Sequence, residues 1–104
     1  MASRTFELMI AAPRDALVDE FYAGALGEWN PELFHEGAEE VDNDLPFGWT
    51  GQGSGFTVKV AIEPVGESTE LTVTVTAGLL AVGGVAKVQK QRFEELRRRV
   101  EARG

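Results

Sequence analysis

The sequence contains no cysteine, which rules out disulfide staples, a thiol nucleophile and thiolate metal sites together. It contains one histidine, His35, so any Ser-His-Asp relay or imidazole ligand has to use that residue. No apolar run approaches the about 20 residues that cross a bilayer. Residues 1–4 also lack the pattern of a secretory leader. The expectation is a cytoplasmic protein without a membrane span. No internal repeat and no linker interrupts the 104 residues, a length that ordinarily makes one domain, here 1–104, burying roughly 60 to 70% of its unfolded surface.

Positive charge is scarce until the end. Residues 28–44 carry seven carboxylates and neither lysine nor arginine, whereas 87–103 carry seven of the ten basic residues against three acids. The closing segment is therefore locally +4 in a chain of net charge −7, which leaves −11 on the remainder. Such a field repels phosphate backbones over most of the surface and argues against a nucleic-acid partner, in spite of the run Arg97, Arg98, Arg99. That run reads as a solvated helix face whose charge suits the helix dipole. Alternatively, the basic and acidic segments complement one another, within the chain or between two copies.

What is present is the composition of a globular protein, 43% hydrophobic and 26% charged, well clear of the disordered range. In TFELMIAA, Phe6, Leu8 and Ile10 alternate with Glu7 and Met9, the period of a strand with one buried face. Pro13 opens a helical pattern through Leu17, Val18, Phe21 and Leu26, weakening at Gly24 and Gly27. Asn30 and Pro31 read as the cap and first turn of a second short helix, with Leu33 and Phe34 as its apolar contacts and an end near Gly37. VDNDLP reads as a loop. Phe56, Val58, Val60 and Ile62 alternate along one strand, PVGEST turns, and Leu71, Val73 and Val75 alternate along the next, with threonines on the far face. Residues 79–103 then form a long helix with Val82, Val85, Phe93, Leu96 and Val100 along a stripe. Gly83 and Gly84 blur its start, each costing about 1 kcal/mol relative to alanine.

The glycines of GQGSGF, at 51, 53 and 55, fail the dinucleotide fingerprint, which needs a helix where this chain has Phe56 and a strand. They also fail the kinase pattern, because Glu63 stands where the lysine belongs. Glycines at alternate positions instead clear one face of a strand, or form a turn, and let a sheet bend sharply. A close approach by a helix or ligand is then their purpose. Glu32, His35, Glu36 and Glu39 would share a helix face if the second helix ran that far, a divalent-cation arrangement. A solvated acidic face is the plainer account. Ser54 or Ser68 with His35 has nothing in the sequence to bring it together. Trp29, Phe34, Phe47 and Trp49 either line the mouth of an apolar cavity or close the core. Gln89 interrupts the apolar stripe of the last helix, pointing into a cavity or sitting at the edge of the buried face.

TFELMIAAPRDALVDEF resembles the opening strand and helix of the START/Bet v 1-like (SRPBCC, polyketide cyclase-like) superfamily. IEPVGESTELTVTVTA is similar to its paired later strands, and VQKQRFEELRRRVEAR to its closing helix. The interval from Gly37 to Phe56 reads as holding fewer strands than family members have, so the chain resembles an abbreviated member. The resemblance implies an α+β fold of order β-α-α-β(n)-α, a curved antiparallel sheet gripping a long C-terminal helix. It also implies an apolar small molecule or lipid held between them, with Phe6, Leu8, Trp49, Phe56, Val58, Gln89 and Phe93 as candidate lining residues. It nominates no catalytic group, no metal and no cofactor; any chemistry would be cyclase- or hydrolase-like. The alternative is a non-enzymatic interaction module or homodimer with a fully packed core.

Overall fold

The computed structural model describes residues 1–22, 26–39 and 47–103. Strand β1 (Ala2–Ile10) leads into helices α1 (Arg14–Tyr22) and α2 (Leu26–Trp29). Strands β2 (Leu33–Glu39), β3 (Phe47–Gly53), β4 (Phe56–Val65) and β5 (Ser68–Ala77) follow, and helix α3 (Val82–Arg103) closes the chain. The strands make one antiparallel sheet in the order β1-β5-β4-β3-β2. The fold is thus α+β, a curved antiparallel sheet packed on a long C-terminal helix, as the alternation and the closing stripe imply. No described helix is long and apolar enough to cross a membrane.

Alternation sets which face is buried. Leu8 and Ile10 of β1, Val58, Val60 and Ile62 of β4, and Leu71, Val73 and Val75 of β5 all turn inward. Thr72, Thr74 and Thr76 of β5 turn outward, where Thr74 and Thr76 hydrogen-bond Thr5 and Ser3 of β1 at 3.1 and 3.0 Å, whereas Thr69 is buried and donates to the Ala12 carbonyl at 2.8 Å. The β4–β5 hairpin closes with Val65 opposite Ser68, and Gly66 at φ +61° supplies the left-handed conformation that such tight turns need. Across the inner face lies α3, burying Val82, Gln89, Phe93, Leu96 and Val100. A row of rings runs through the core. Phe6 meets Phe93 at 6.1 Å, Phe93 meets Trp29 at 5.2 Å, Trp29 meets Phe21 at 5.8 Å, and Phe21 meets Trp49 at 5.0 Å between centroids. The row ties β1, α3, α2, α1 and β3 together.

The second helix is not where the sequence places it. Residues 33–39 are strand β2, and the short helix lies before Asn30 rather than after it. Asn30 caps nothing; its carbonyl accepts the Leu33 N–H at 3.3 Å and turns the chain into β2. The physical reason is the open edge of β3, whose backbone groups need partners; β2 supplies them, with Leu33 opposite Gly53 and His35 opposite Gly51. With the helix goes the shared face for Glu32, His35, Glu36 and Glu39, since a strand does not align those spacings. The side chains of Phe34, His35, Glu36, Glu39 and Phe47, and residues 41–46 of the expected loop, lie outside the described residues.

The glycine row lies where a bend is expected, and its occupants are the protein's own rings. A Cβ on Gly51 would stand 2.5 Å from Cζ3 of the Trp49 indole and closer still to Cη2. One on Gly53 would stand 2.7 Å from Cε2 of the Phe56 ring and closer to two of its other carbons. Each ring lies over bare backbone, filling the space that a side chain would take. Gly55, at φ +81°, makes the β3–β4 turn.

The charge polarity resolves within the chain. Arg92 holds Glu32 at 2.5 Å and Arg99 holds Glu28 at 2.8 Å, while Arg103 pairs with Glu20. The basic helix thereby straps down the segment containing α1 and α2. Arg97 and Arg98 pair instead with Glu94 and Glu95 of their own helix.

Gly83 carries a simple expectation. It is exposed near the start of α3, and a Cβ there would meet no atom within 4 Å. Gly83→Ala removes unfolded-state freedom at no steric cost and is expected to stabilise by about 0.5 kcal/mol, raising the thermal midpoint by roughly 2–4 °C. A fall in the midpoint by differential scanning fluorimetry would contradict this.

Candidate functional site

The first turns of α3 cross the sheet next to the β3–β4 turn, and there the two surfaces do not close completely. Gly83 and Gly84 bring no side chains to this crossing. What remains is an apolar cleft of about 350 Å³ lined by Glu32, Phe56, Gly84, Val85, Val88 and Gln89. Phe56 stands at its wall because Gly53, its partner across the hairpin, leaves room for the ring. Val85, Val88 and Gln89 arrive together because positions three and four apart on a helix share a face. A second depression, about 390 Å³, lies on the threonine-bearing face among Thr50, Lys59, Thr72 and Thr74. Its lining is far more polar than that of the first.

The cleft's polar groups are tied to the core. Gln89 is buried, and its Oε1 accepts a hydrogen bond from Asn30 Nδ2 at 2.8 Å, also buried. Glu32 receives Arg92 through one oxygen, Oε1, from Nε at 3.1 Å and Nη2 at 2.5 Å. Its other oxygen, Oε2, is buried with no hydrogen-bond partner among the described residues.

Of the seven residues nominated from the sequence, Phe56 and Gln89 line this cleft. Leu8, Trp49, Val58 and Phe93 are buried in the core, and Phe6 packs against it from a partly exposed position. Glu32, Gly84, Val85 and Val88 are lining residues that the sequence reading misses. The signal for three of them is legible: a glycine pair at a helix start followed by valines at 85 and 88 marks a helix end that lies bare and apolar. Glu32 is hidden by its reading as part of a solvated acidic helix face. Among the described residues no group of acidic or histidine side chains could hold a metal ion.

No family model matches the chain and no curated protein matches its sequence. Solved structures do match in shape. The crystal structure of protein MLL2253 from Mesorhizobium loti is similar with a TM-score of 0.73 at 15% identity, covering 98% of each chain. The Aha1 dimer from Colwellia psychrerythraea, solved in solution, gives 0.68 at 12% identity over 97% of each chain. Ara h 8.0201 gives 0.61 at 13% identity, over 97% of this chain and 99% of that one. The last is of the Bet v 1 type, and the fold of this chain is accordingly Bet v 1-like.

Proposed function

We propose that this chain binds an apolar small molecule or lipid in the cleft between the start of β4 and the first turns of α3. The observation that supports this most directly is the cleft itself, about 350 Å³ of mostly apolar lining at the place where helix and sheet part. Its size falls in the roughly 300–1,000 Å³ range of small-molecule sites. In this reading Phe56 and Gln89 touch the ligand. Phe6, Leu8, Trp49, Val58 and Phe93 support the wall from behind, so the ligand lies in a groove rather than in an enclosed chamber.

The reading is tested by titrating the protein with N-phenylnaphthylamine, whose fluorescence rises in apolar sites, alongside native mass spectrometry of freshly purified protein. Saturable enhancement is expected. Gly84→Leu, whose added Cβ meets no atom within 4 Å, fills the cleft without straining the fold and is expected to weaken the probe by about tenfold or more. Equal binding by the two proteins, or no enhancement in either, would remove the cleft as the site.

A second reading, a non-enzymatic interaction module or homodimer, is favoured by Leu79 and Leu80, which are 78% and 100% exposed between β5 and α3. Apolar side chains held out side by side are a feature of contact surfaces. A bare protein mass together with a concentration-dependent dimer would favour this alternative.

A further inference from the structure

We infer that the end of the molecule around the β5–α3 turn docks on the surface of an anionic lipid bilayer, with Leu79 and Leu80 entering the acyl boundary and Lys87 and Lys90 meeting the headgroups. This surface is distinct from the ligand of the cleft and stands or falls separately from the binding reading above. Residues 77–86, AGLLAVGGVA, contain no polar side chain. Most of that run is nevertheless at the surface: Gly78, Leu79, Leu80, Ala81, Gly83 and Gly84 are all exposed, and Val88 follows one turn on. The turn is fixed in place. The Gly78 carbonyl accepts the Ala81 and Val82 N–H groups at 3.0 and 2.9 Å, and the Ala81 carbonyl accepts Val85 N–H at 3.0 Å. Both leucines are thus held out from the core on an ordered element, the kind of apolar patch that marks a protein or membrane contact.

Charge decides which contact. The register sets Gly53, Phe56, Ala77 and Ala2 in one row across this end of the sheet. The segments that meet there, residues 1–6, 48–62 and 71–93, contain no aspartate or glutamate in a chain with 17. Glu32, beside the cleft, is already held by Arg92. Within α3 the five arginines each pair with a glutamate, whereas Lys87 and Lys90, both exposed, have no ion pair among the described residues. These two follow Val82 by about 8 and 12 Å along the helix axis, and their long stems let the ammonium groups reach a headgroup layer above an inserted apolar tip. The acidic remainder does not oppose this approach, because the molecule is 38 Å long and its far charges are screened within about 8–10 Å at physiological salt. A second copy fits less well. A two-fold pairing brings the same patch of both chains together and so sets lysines against lysines.

The test is co-sedimentation of the full chain with vesicles of phosphatidylcholine, either alone or mixed with phosphatidylglycerol. Binding to the anionic vesicles is expected to exceed that to the neutral ones by about tenfold and to fall as salt is raised. Leu79→Ser with Leu80→Ser is expected to weaken it by about tenfold or more. Lys87→Gln with Lys90→Gln should bring anionic-vesicle binding down to near the neutral level. All four side chains are exposed, so these changes leave the fold intact. Leu80→Trp gives a direct reading: its emission should move to shorter wavelength on anionic vesicles, while Trp29 and Trp49, buried in the core, do not respond. No association with anionic vesicles, equal association with both kinds, or undiminished association in the leucine variant would each overturn the inference. So would a concentration-dependent dimer that the leucine substitutions abolish while vesicles bind neither protein, an outcome that makes a second copy the partner. A failed N-phenylnaphthylamine titration would remove the cleft as a ligand site and leave this docking surface standing.

Discussion

Gly51→Ala is expected to cost about 2–3 kcal/mol, a large effect for one methyl group. The added carbon would stand 2.5 Å from one carbon of the Trp49 six-membered ring and closer still to its neighbour. Contacts that short force movement, and a ring at the end of a side chain often has room to yield. This one does not: Trp49 is 2% exposed and packs on Phe21 at 5.0 Å. Overpacking of a filled core typically costs about 1–3 kcal/mol. Trp49→Ala is expected to cost about 3–5 kcal/mol through the cavity it leaves. The diagnostic is the double variant. Once the indole is gone, alanine at 51 has space and the ordinary preference of a strand for alanine over glycine, about 0.5–1 kcal/mol. Urea melts of the four proteins should therefore show a coupling of about 2–3 kcal/mol, where distant sites would add within a few tenths. Additive losses would mean that the ring does not occupy the space over Gly51. Gly53→Ala should be milder, because the Phe56 ring above it is partly exposed and can swing outward.

Removing both cations that face Glu20 should be the other severe change. Glu20 is 1% exposed, with Arg103 paired to one carboxylate oxygen and Arg99 Nε 3.9 Å from the other. No hydrogen bond reaches either oxygen among the described residues, so these two arginines are what offsets the burial of its charge. Arg99→Met with Arg103→Met leaves a buried carboxylate uncompensated, a situation that typically costs about 3–5 kcal/mol. Either single change should cost much less, since the other cation remains. Adding Glu20→Met to the double variant should restore most of the loss, because an apolar triad of similar volume packs without a desolvation cost. If the double change were equally damaging with methionine at position 20, the loss would have to come from packing or from the Arg99–Glu28 pair rather than from Glu20.

The elements legible in the sequence are those whose side chains announce a period. β1, β4, β5 and α3 show alternation or a stripe because each buries one face against the same core. β2 gives no such sign. Its pairing with β3 is interrupted between His35 and Ala38, which breaks the alternation, and Gly37 with an adjacent apolar pair fits a short helix equally well. β3 is half legible, since Gly51 and Gly53 have no side chains to alternate and only their spacing hints at a cleared face. The same blindness covers the cleft. Gln89 is visible as a residue out of pattern and Phe56 as the first of an alternating strand, whereas Gly84, Val85 and Val88 leave only the fainter trace of a glycine pair followed by valines at a helix start. Glu32 becomes visible only once Arg92, sixty positions later in the chain, is seen to occupy one of its oxygens.

The strand order has a consequence for biosynthesis. β1 lies at the edge of the sheet beside β5, with Ala2 opposite Ala77 and Ile10 opposite Thr69, so the first strand of this sheet to be made has no partner until the last of the five described strands emerges. The β4–β5 hairpin forms from neighbours, but the edge it offers to β1 waits on a loop closure that spans most of the chain. Non-local pairings of this kind slow folding, and an early apolar strand left waiting is a natural substrate for chaperones or for misassociation between nascent chains.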